Sequence, residues 1–252
     1  WHFGKNVFLV GYTIDQRKKL IDTYFEKFKR VFGKHPSFTV SWMIDSWSLD
    51  YVSSKYNVIL HEVTKEQYKT DSYTLYGGVF NAPYYPSRTH PLIPSKSGNS
   101  IFMIRQTISD PLYNYGFPKA FYTSQPNDYL SNTIDAKNIS YFNSLVNHIT
   151  DQKSGFPLAV VGFENSFDFQ KYGQEFIDQL LYLKTKQTDG LITLKTPSET
   201  ALQFKSEFKE NKPFIIQDKF NSMENFGTLW YFSPYHRVRL IVKNGIVMIT
   251  DL

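Results

Sequence analysis

The chain alternates between short, mostly apolar runs and longer segments in which apolar residues recur every three or four positions. Residues 38–44 and 157–163 are runs of the first kind, which are typical of buried parallel strands. Residues 20–32 and 139–149 are segments of the second kind, and this spacing indicates helices with one buried face. Strands and helices in alternation predict an α/β fold built around a parallel sheet.

Local signals mark where two of these helices begin and end. Thr13 and Gln16 form a capping-box pattern, and Gly33 follows the last apolar position of the same helix. Residues 196–199 combine a second capping box with a proline at the first helical position. We therefore predict one helix that ends at Gly33 and another that ends near residue 211.

The end of the chain follows a different pattern. Three β-prone runs are found there, at residues 229–232, 237–242 and 246–250. Asn244 and Gly245 lie between the last two runs, and Asn-Gly in such a position is a strong hairpin signal. We predict a barrel-sized α/β domain over residues 1–220, followed by a β-rich C-terminal element over residues 221–252 that begins a truncated accessory domain.

Composition excludes several classes of chemistry. The 252 residues contain no cysteine, which excludes disulfides, thiolate metal sites and a cysteine nucleophile. No run of about 18 apolar residues occurs, so we expect no membrane-spanning segment. The net charge of +5 is not gathered in one block, and we expect no nucleic-acid partner. The first residue is Trp1, and we interpret the chain as a processed product or an excerpt, with an extracytoplasmic location.

A long segment without periodicity, from residue 64 to residue 100, is rich in tyrosine. Loops of this length inside compact domains are usually functional. We expect it to cover a ligand-binding edge, where aromatic rings would stack on sugar rings; its candidate binding residues are Asp71, Tyr76, Tyr84 and Tyr85. The alternative is that these tyrosines only pack the loop against the domain.

Four strand-like runs end in an ionisable residue, namely Asp45, His61, Glu164 or Asp218. Ionisable residues at the carboxyl ends of parallel strands face the crevice where ligands bind, so we expect all four at one mouth. Glu164 is the leading candidate, because partial burial would raise its pKa toward the range useful for proton transfer. Its alternative role is to cap a helix or pair with a lysine.

Three further residues extend the candidate site. Asp110 follows another strand-like region, Arg105 precedes it by five positions, and Trp47 follows Asp45 by two. Glycoside hydrolysis requires two carboxylates across the scissile bond. The candidate catalytic residues are therefore Asp45, Asp110, Glu164 and Asp218, and we assign His61, Trp47 and Arg105 to substrate binding.

The histidines predict no metal site. A catalytic zinc site often uses two histidines at positions i and i+4, and the six histidines of this chain include no such pair. A metal held by Asp45, His61 and a distant histidine is the alternative.

Three segments, at residues 41–47, 77–87 and 161–165, resemble those of uncharacterised bacterial glycoside-hydrolase-like domains. These domains belong to the superfamily that contains polysaccharide deacetylases and glycoside hydrolase families 38 and 57. The resemblance covers about residues 1–220 and implies an incomplete or distorted (β/α)7-type barrel that acts on an oligo- or polysaccharide, often followed by a β-rich domain.

The motifs of that superfamily are matched only in part. The Asp-Asp pair and the His-x-x-x-His metal pair of the deacetylases are absent. The family-57 pattern of a glutamate nucleophile and a later aspartate acid corresponds to Glu164 and Asp218. We predict a carbohydrate-active hydrolase-like domain that cleaves a glycosidic bond with paired carboxylates, without metal or cofactor. A non-catalytic glycan-binding module is the second interpretation, and a metal-dependent polysaccharide deacetylase is the third.

Overall fold

The computed structural model describes residues 8–64, 77–96, 100–113, 123–131, 137–221 and 226–252. The helices in these ranges are α1 (Ile14–Phe32), α2 (Ser46–Tyr56), α3 (Pro126–Leu130), α4 (Ile139–Asp151), α5 (Phe169–Thr188) and α6 (Pro197–Glu207), with a short 3₁₀ helix at Leu9–Gly11. The strands are β1 (Phe38–Ser41), β2 (Leu60–Val63), β3 (Phe102–Arg105), β4 (Phe214–Asn221), β5 (Phe226–Phe232), β6 (Arg237–Lys243) and β7 (Ile246–Asp251).

The first three strands form a parallel sheet in the order β1-β2-β3. Leu60 and its partner Phe102 pack against Phe204 of α6 on one side, which we call the α6 face. Val63 and Met103 pack on the opposite side in a cluster with residues of α2, and we call this side the α2 face. Both faces are covered at β2 and β3, as continuous apolar runs predict, whereas Val40 of β1 is 53% exposed.

The extended segment at residues 156–161 has the side-chain alternation of a strand without a strand's hydrogen-bond ladder. Leu158 and Val160 pack against the cluster on the α6 face, whereas Ala159 and Val161 pack against the cluster formed by α4 and α5. The strand predicted at residues 157–163 is not formed, and residues 191–195 also form no strand. The described residues thus contain a three-stranded parallel sheet and not a closed barrel.

The last four strands form an antiparallel sheet in the order β4-β5-β6-β7. The sequence analysis was wrong about the run that ends in Asp218, because β4 pairs antiparallel with β5 instead of joining the parallel sheet. The predicted hairpin is confirmed: Asn244 and Gly245 link β6 to β7 with φ angles of 50° and 77°. The outermost strand, β7, is exposed along most of its length.

The predicted helix starts and the end of α1 at Gly33 are confirmed, whereas α6 ends at Glu207, four residues before the predicted position. Both capping boxes form, at Thr13 with Gln16 and at Thr196 with Glu199. Gly33 ends α1 with a φ of 76°, in the left-handed region that glycine adopts without strain. These contacts satisfy helix-terminal amide and carbonyl groups that lack intrahelical partners.

The two sheets share one apolar core. Phe25 of α1, Val63 of β2, and Phe214 and Trp230 of the antiparallel sheet belong to one buried cluster. The division near residue 220 stays a prediction, although β4 lies before it and pairs with β5 beyond it. None of the helices in the described ranges has the length and apolar character needed to cross a membrane.

Candidate functional site

His61 is a buried residue within β2 instead of a side chain at the strand's end. On the α2 face, its Nδ1 lies 2.8 Å from Thr39 Oγ1 and its Nε2 lies 3.0 Å from Ser41 Oγ. The Ser41 hydroxyl donates to the carbonyl of Met43, so it accepts from Nε2–H, and Nδ1 accepts from Thr39. Burial lowers the pKa of His61 to about 3. The imidazole is therefore neutral and links β1 to β2.

Asp45 caps the N-terminus of α2, and neighbouring side chains bind its carboxylate. The backbone N–H and the hydroxyl of Ser48 both donate to its carboxylate, at 2.9 and 2.6 Å. Arg17 forms an ion pair with it at 3.1 Å. One turn along the helix, the ring of Trp47 stacks on that of Tyr51 with centroids 5.0 Å apart. These contacts fix the position of the helix start.

Asp110 and Asp218 are the two predicted carboxylates that the structure brings close together. Asp218 on β4 forms an ion pair with Nε2 of His148 on α4 at 3.1 Å. Burial opposes the charged imidazole, but the hydrogen bond and charge of Asp218, aided by Asp110, hold the pKa of His148 above its ordinary value. Asp218 therefore sits beside the last turns of α4, the helix that leads into the extended segment.

The carboxyl group of Asp110 is enclosed by donors. Leu112 and Tyr113 donate their backbone N–H groups to it at 2.8 and 3.1 Å, and the Tyr141 hydroxyl donates at 2.8 Å. Burial raises the pKa of Asp110, these hydrogen bonds lower it, and the charge of Asp218 raises it, with a net rise. Because Asp110 is only 4% exposed, its carboxyl group faces protein and not an open cleft.

Glu164 lies at the far end of the extended segment. Its side chain is exposed, and its carboxylate accepts a hydrogen bond from the Ser166 hydroxyl. Its backbone N–H donates to Oε1 of the buried residue Gln125 at 3.2 Å. α4 precedes the extended segment and Glu164 ends it, whereas Asp218 lies on the antiparallel sheet and His61 lies within β2, so the four residues do not all end strands of one parallel sheet.

Three buried polar atoms without hydrogen-bond partners lie in segments linked to the Glu164 backbone through Gln125 and Ser124. They are Thr107 Oγ1, Asn127 Oδ1 and Gln179 Oε1. Ser124 joins their segments, since its hydroxyl accepts from the N–H of Ile108 and its carbonyl accepts from the side chain of Gln179. The side chain of Gln125, the next residue, accepts a hydrogen bond from the backbone N–H of Glu164.

Thr107 also has a strained backbone. It follows β3 by two residues and has a φ of 62°, in the left-handed region that β-branched residues rarely enter. Such strain persists where the surrounding structure enforces it, often at functional sites. The strain at Thr107 therefore makes the carboxyl edge of the parallel sheet a candidate functional region.

The predicted binding residues of the described loop segments are buried. Tyr84 and Tyr85 are 1% and 3% exposed, and their hydroxyls donate to the carbonyls of Pro91 and Phe208. Arg105 donates to the carbonyls of Thr64 and Gly77, each at 2.6 Å. These buried side chains stabilise the loops through hydrogen bonds to backbone carbonyls. Asp71 and Tyr76 lie outside the described residues.

Glu62 is a candidate that the sequence analysis missed. It lies on the α6 face, between its cross-strand partners Val40 and Ile104. Burial raises the pKa of its carboxyl group. The sequence does indicate which way Glu62 faces, because side chains alternate along a strand and Glu62 therefore lies on the opposite side of the sheet from His61.

No set of metal ligands is found in the part of the chain that the structure describes. None of its groups of His, Asp and Glu brings together three or more side chains that could hold a metal ion. Asp110, His148 and Asp218 are therefore not arranged as a metal centre, and these residues do not fit the metal that a deacetylase would require.

Comparisons with known proteins show the fold. No protein-family model and no curated protein matches this chain. Among solved structures, a protein from Parabacteroides distasonis, named only provisionally as a glycoside hydrolase/deacetylase, is similar with a TM-score of 0.69 and 16% sequence identity. The match covers 94% of this chain and 61% of that protein.

Proposed function

We propose that this chain is a carbohydrate-active, hydrolase-like domain that cleaves a glycosidic bond at the carboxyl edge of its parallel sheet, with Glu164 as a catalytic carboxylate. In this proposal, the extended segments at residues 157–163 and 191–195 take the place of further strands in an incomplete (β/α)7-type barrel. The likeness to the protein provisionally named as a glycoside hydrolase/deacetylase supports a carbohydrate substrate.

The observation that carries the proposal is the surroundings of Glu164. The backbone of this exposed residue is hydrogen-bonded to Gln125, which follows Ser124 of a buried network in which Thr107, Asn127 and Gln179 have unpaired polar atoms. Leaving such an atom unsatisfied costs about 1–3 kcal/mol, and unsatisfied buried groups in native proteins often store strain or take part in catalysis. Sugars offer many hydroxyl groups that both donate and accept.

Glu164 supplies the charge that this chemistry needs. Glycoside hydrolysis passes through a positively charged sugar, and one of two carboxylates stabilises it by attacking the anomeric carbon or by activating water. The exposed position of Glu164 lets a bulky glycan reach it. The Ser166 hydroxyl, which donates to the carboxylate, orients the group.

The test is a screen of polysaccharides and aryl glycosides for hydrolysis, followed by Glu164→Gln. We expect turnover to fall by at least about 10²–10⁴-fold with glycan binding retained, because the amide keeps the shape but cannot ionise. Asp168→Asn is the matched control, because asparagine also caps helices and Asp168 caps α5.

Two other results would replace the proposal. Binding of a glycan without hydrolysis by the wild-type protein would identify a non-catalytic glycan-binding module. Release of acetate from an acetylated polysaccharide, lost with EDTA and restored with zinc, would identify a metal-dependent deacetylase.

A further inference from the structure

We propose that Glu62 is the second catalytic carboxylate and protonates the glycosidic oxygen. This inference rests on the proposed function. Glu62 gives its proton to that oxygen as the bond to the anomeric carbon breaks, and the bonding electrons stay with the oxygen. One water is consumed overall, since its hydroxide ends on the anomeric carbon and its proton restores the acid.

The register of the sheet places Glu62 on the α6 face. Side chains alternate along a strand, so Leu60 and Glu62 share a side while His61 faces the other. Ile104, directly opposite Glu62 on β3, belongs to the same buried cluster as Leu60. Glu62 is the third of the four residues of β2, near the carboxyl end where ligands bind in parallel α/β folds.

The extended segment faces the same cluster. Phe156, Leu158 and Val160, its even-numbered residues, pack there. In this proposal the alternation extends past residue 162 to Glu164, so that Glu62 and Glu164 act on the substrate from two walls of one layer.

The surroundings of Glu62 suit a proton donor. Ile104, on one side, is buried, whereas Val40, on the other, is 53% exposed, so the face opens toward β1. Both neighbours are apolar, and burial raises the pKa of the Glu62 carboxyl group. A carboxyl group kept neutral by an apolar site can act as a general acid.

Asp110 and Asp45 lack one of these properties. Asp110 is surrounded by two backbone amides and a tyrosine hydroxyl. Asp45 is held by Arg17 and Ser48 at the start of α2. Neither lies on the α6 face of the sheet.

The test compares the hydrolysis rates of substrates with poor and with good leaving groups. Polysaccharides have poor leaving groups that require a general acid, whereas a 2,4-dinitrophenolate leaves without protonation. We expect Glu62→Gln to lose at least about 10²-fold in polysaccharide hydrolysis and to retain most of its activity on 2,4-dinitrophenyl glycosides. Glu164→Gln should lose activity on both substrates.

The fold of the Glu62→Gln protein should be intact, because glutamine mimics the neutral carboxyl group; circular dichroism and thermal melting check this. Glu62→Asp provides a second variant that keeps the acid on a shorter side chain, and it should retain part of the polysaccharide activity. Asp168→Asn again serves as the control with both activities unchanged.

The outcomes separate the two proposals. With an active wild type, two results would refute the role of Glu62 and leave the proposed function standing. One is a Glu62→Gln variant that is as active as wild type on polysaccharide. The other is a folded Glu62→Gln variant that loses activity on both substrates. If wild type hydrolyses neither class of substrate, the proposed function fails.

Discussion

His61 and Glu62 are consecutive on β2, yet their side chains lie on opposite faces of the parallel sheet. The imidazole is held by Thr39 and Ser41 on the α2 face, and the carboxyl group lies beside Ile104 on the α6 face. Burial disfavours the charged form of each group, since it lowers the pKa of His61 and raises that of Glu62. The strand therefore carries two ionisable groups that both favour their neutral forms.

We expect His61 to make the protein less stable in acid. In the folded protein its pKa is about 3, whereas its ordinary value is 6.5. Between these values the unfolded chain binds the extra proton, so stability is present above pH 6.5 and falls as the pH falls toward 3, by up to about 1.4 kcal/mol per pH unit. His61→Gln should flatten this part of the pH dependence, measured as unfolding free energies in urea.

His35→Gln is the control for that measurement, because His35 lies near the surface beside Glu26. Identical pH slopes for wild type and His61→Gln would contradict the assignment of a neutral, buried imidazole.

The Asp218–His148 pair should have the opposite pH dependence. Because the folded pKa of His148 is raised, its contribution to stability is present below the ordinary value of 6.5 and is lost as the pH rises through the folded pKa. Asp218→Asn removes the charge but leaves the burial, so the pKa of His148 should fall. Proton NMR titration of the imidazole measures this, and an unchanged titration would refute the pairing.

Arg105→Lys should destabilise the fold. The guanidinium bridges the carbonyls of Thr64 and Gly77, which are 13 positions apart in the sequence, and one ammonium group does not reproduce this forked geometry. We expect a loss of about 1–3 kcal/mol in unfolding free energy, measured by urea denaturation. Arg88→Lys, on an exposed side chain, should have no effect. If Arg105 only bound substrate, stability would not change.

Substitution on β7 should reduce self-association. Ile246, Val247 and Ile249 are each more than 60% exposed, on both faces of a strand at the edge of its sheet. Exposed apolar edges promote pairing between molecules, and lysine opposes it. Val247→Lys should lower the sedimentation-derived association constant with little change in melting temperature. Leu202→Lys, equally exposed on α6, is the control, and an equal effect of both would point to general surface hydrophobicity.

Features that depend on neighbouring residues could be predicted from the sequence. The two capping boxes, the left-handed Gly33 and the Asn244–Gly245 hairpin each involve residues at most three positions apart. The run before Asp218 was misassigned because an apolar run does not reveal its partner. Its pairing with β5 rather than with the parallel sheet is decided by contacts between distant parts of the chain.

The candidate site was harder to predict for the same reason. Asp45 and Glu164 both follow apolar runs, but only the fold shows that Asp45 is held by Arg17 and that Glu164 is accessible. Tyr84 and Tyr85 occur in a segment without periodicity, yet both are buried, because aromatic rings in a loop can fill a core as readily as they can bind a sugar. Strand alternation separates Glu62 from His61, but no sequence pattern reports the burial that raises the pKa of Glu62.

Because the two sheets share one apolar core, we expect the described residues to unfold as one cooperative unit. Phe25 of α1 and Val63 of β2 lie in the same cluster as Phe214 and Trp230 of the antiparallel sheet, so neither sheet can melt without exposing the other's apolar surface to water. Calorimetry should record a single heat-absorption peak. Cutting the chain at residue 220 would separate β4 from β5, leaving a fragment prone to aggregate instead of an independent catalytic module.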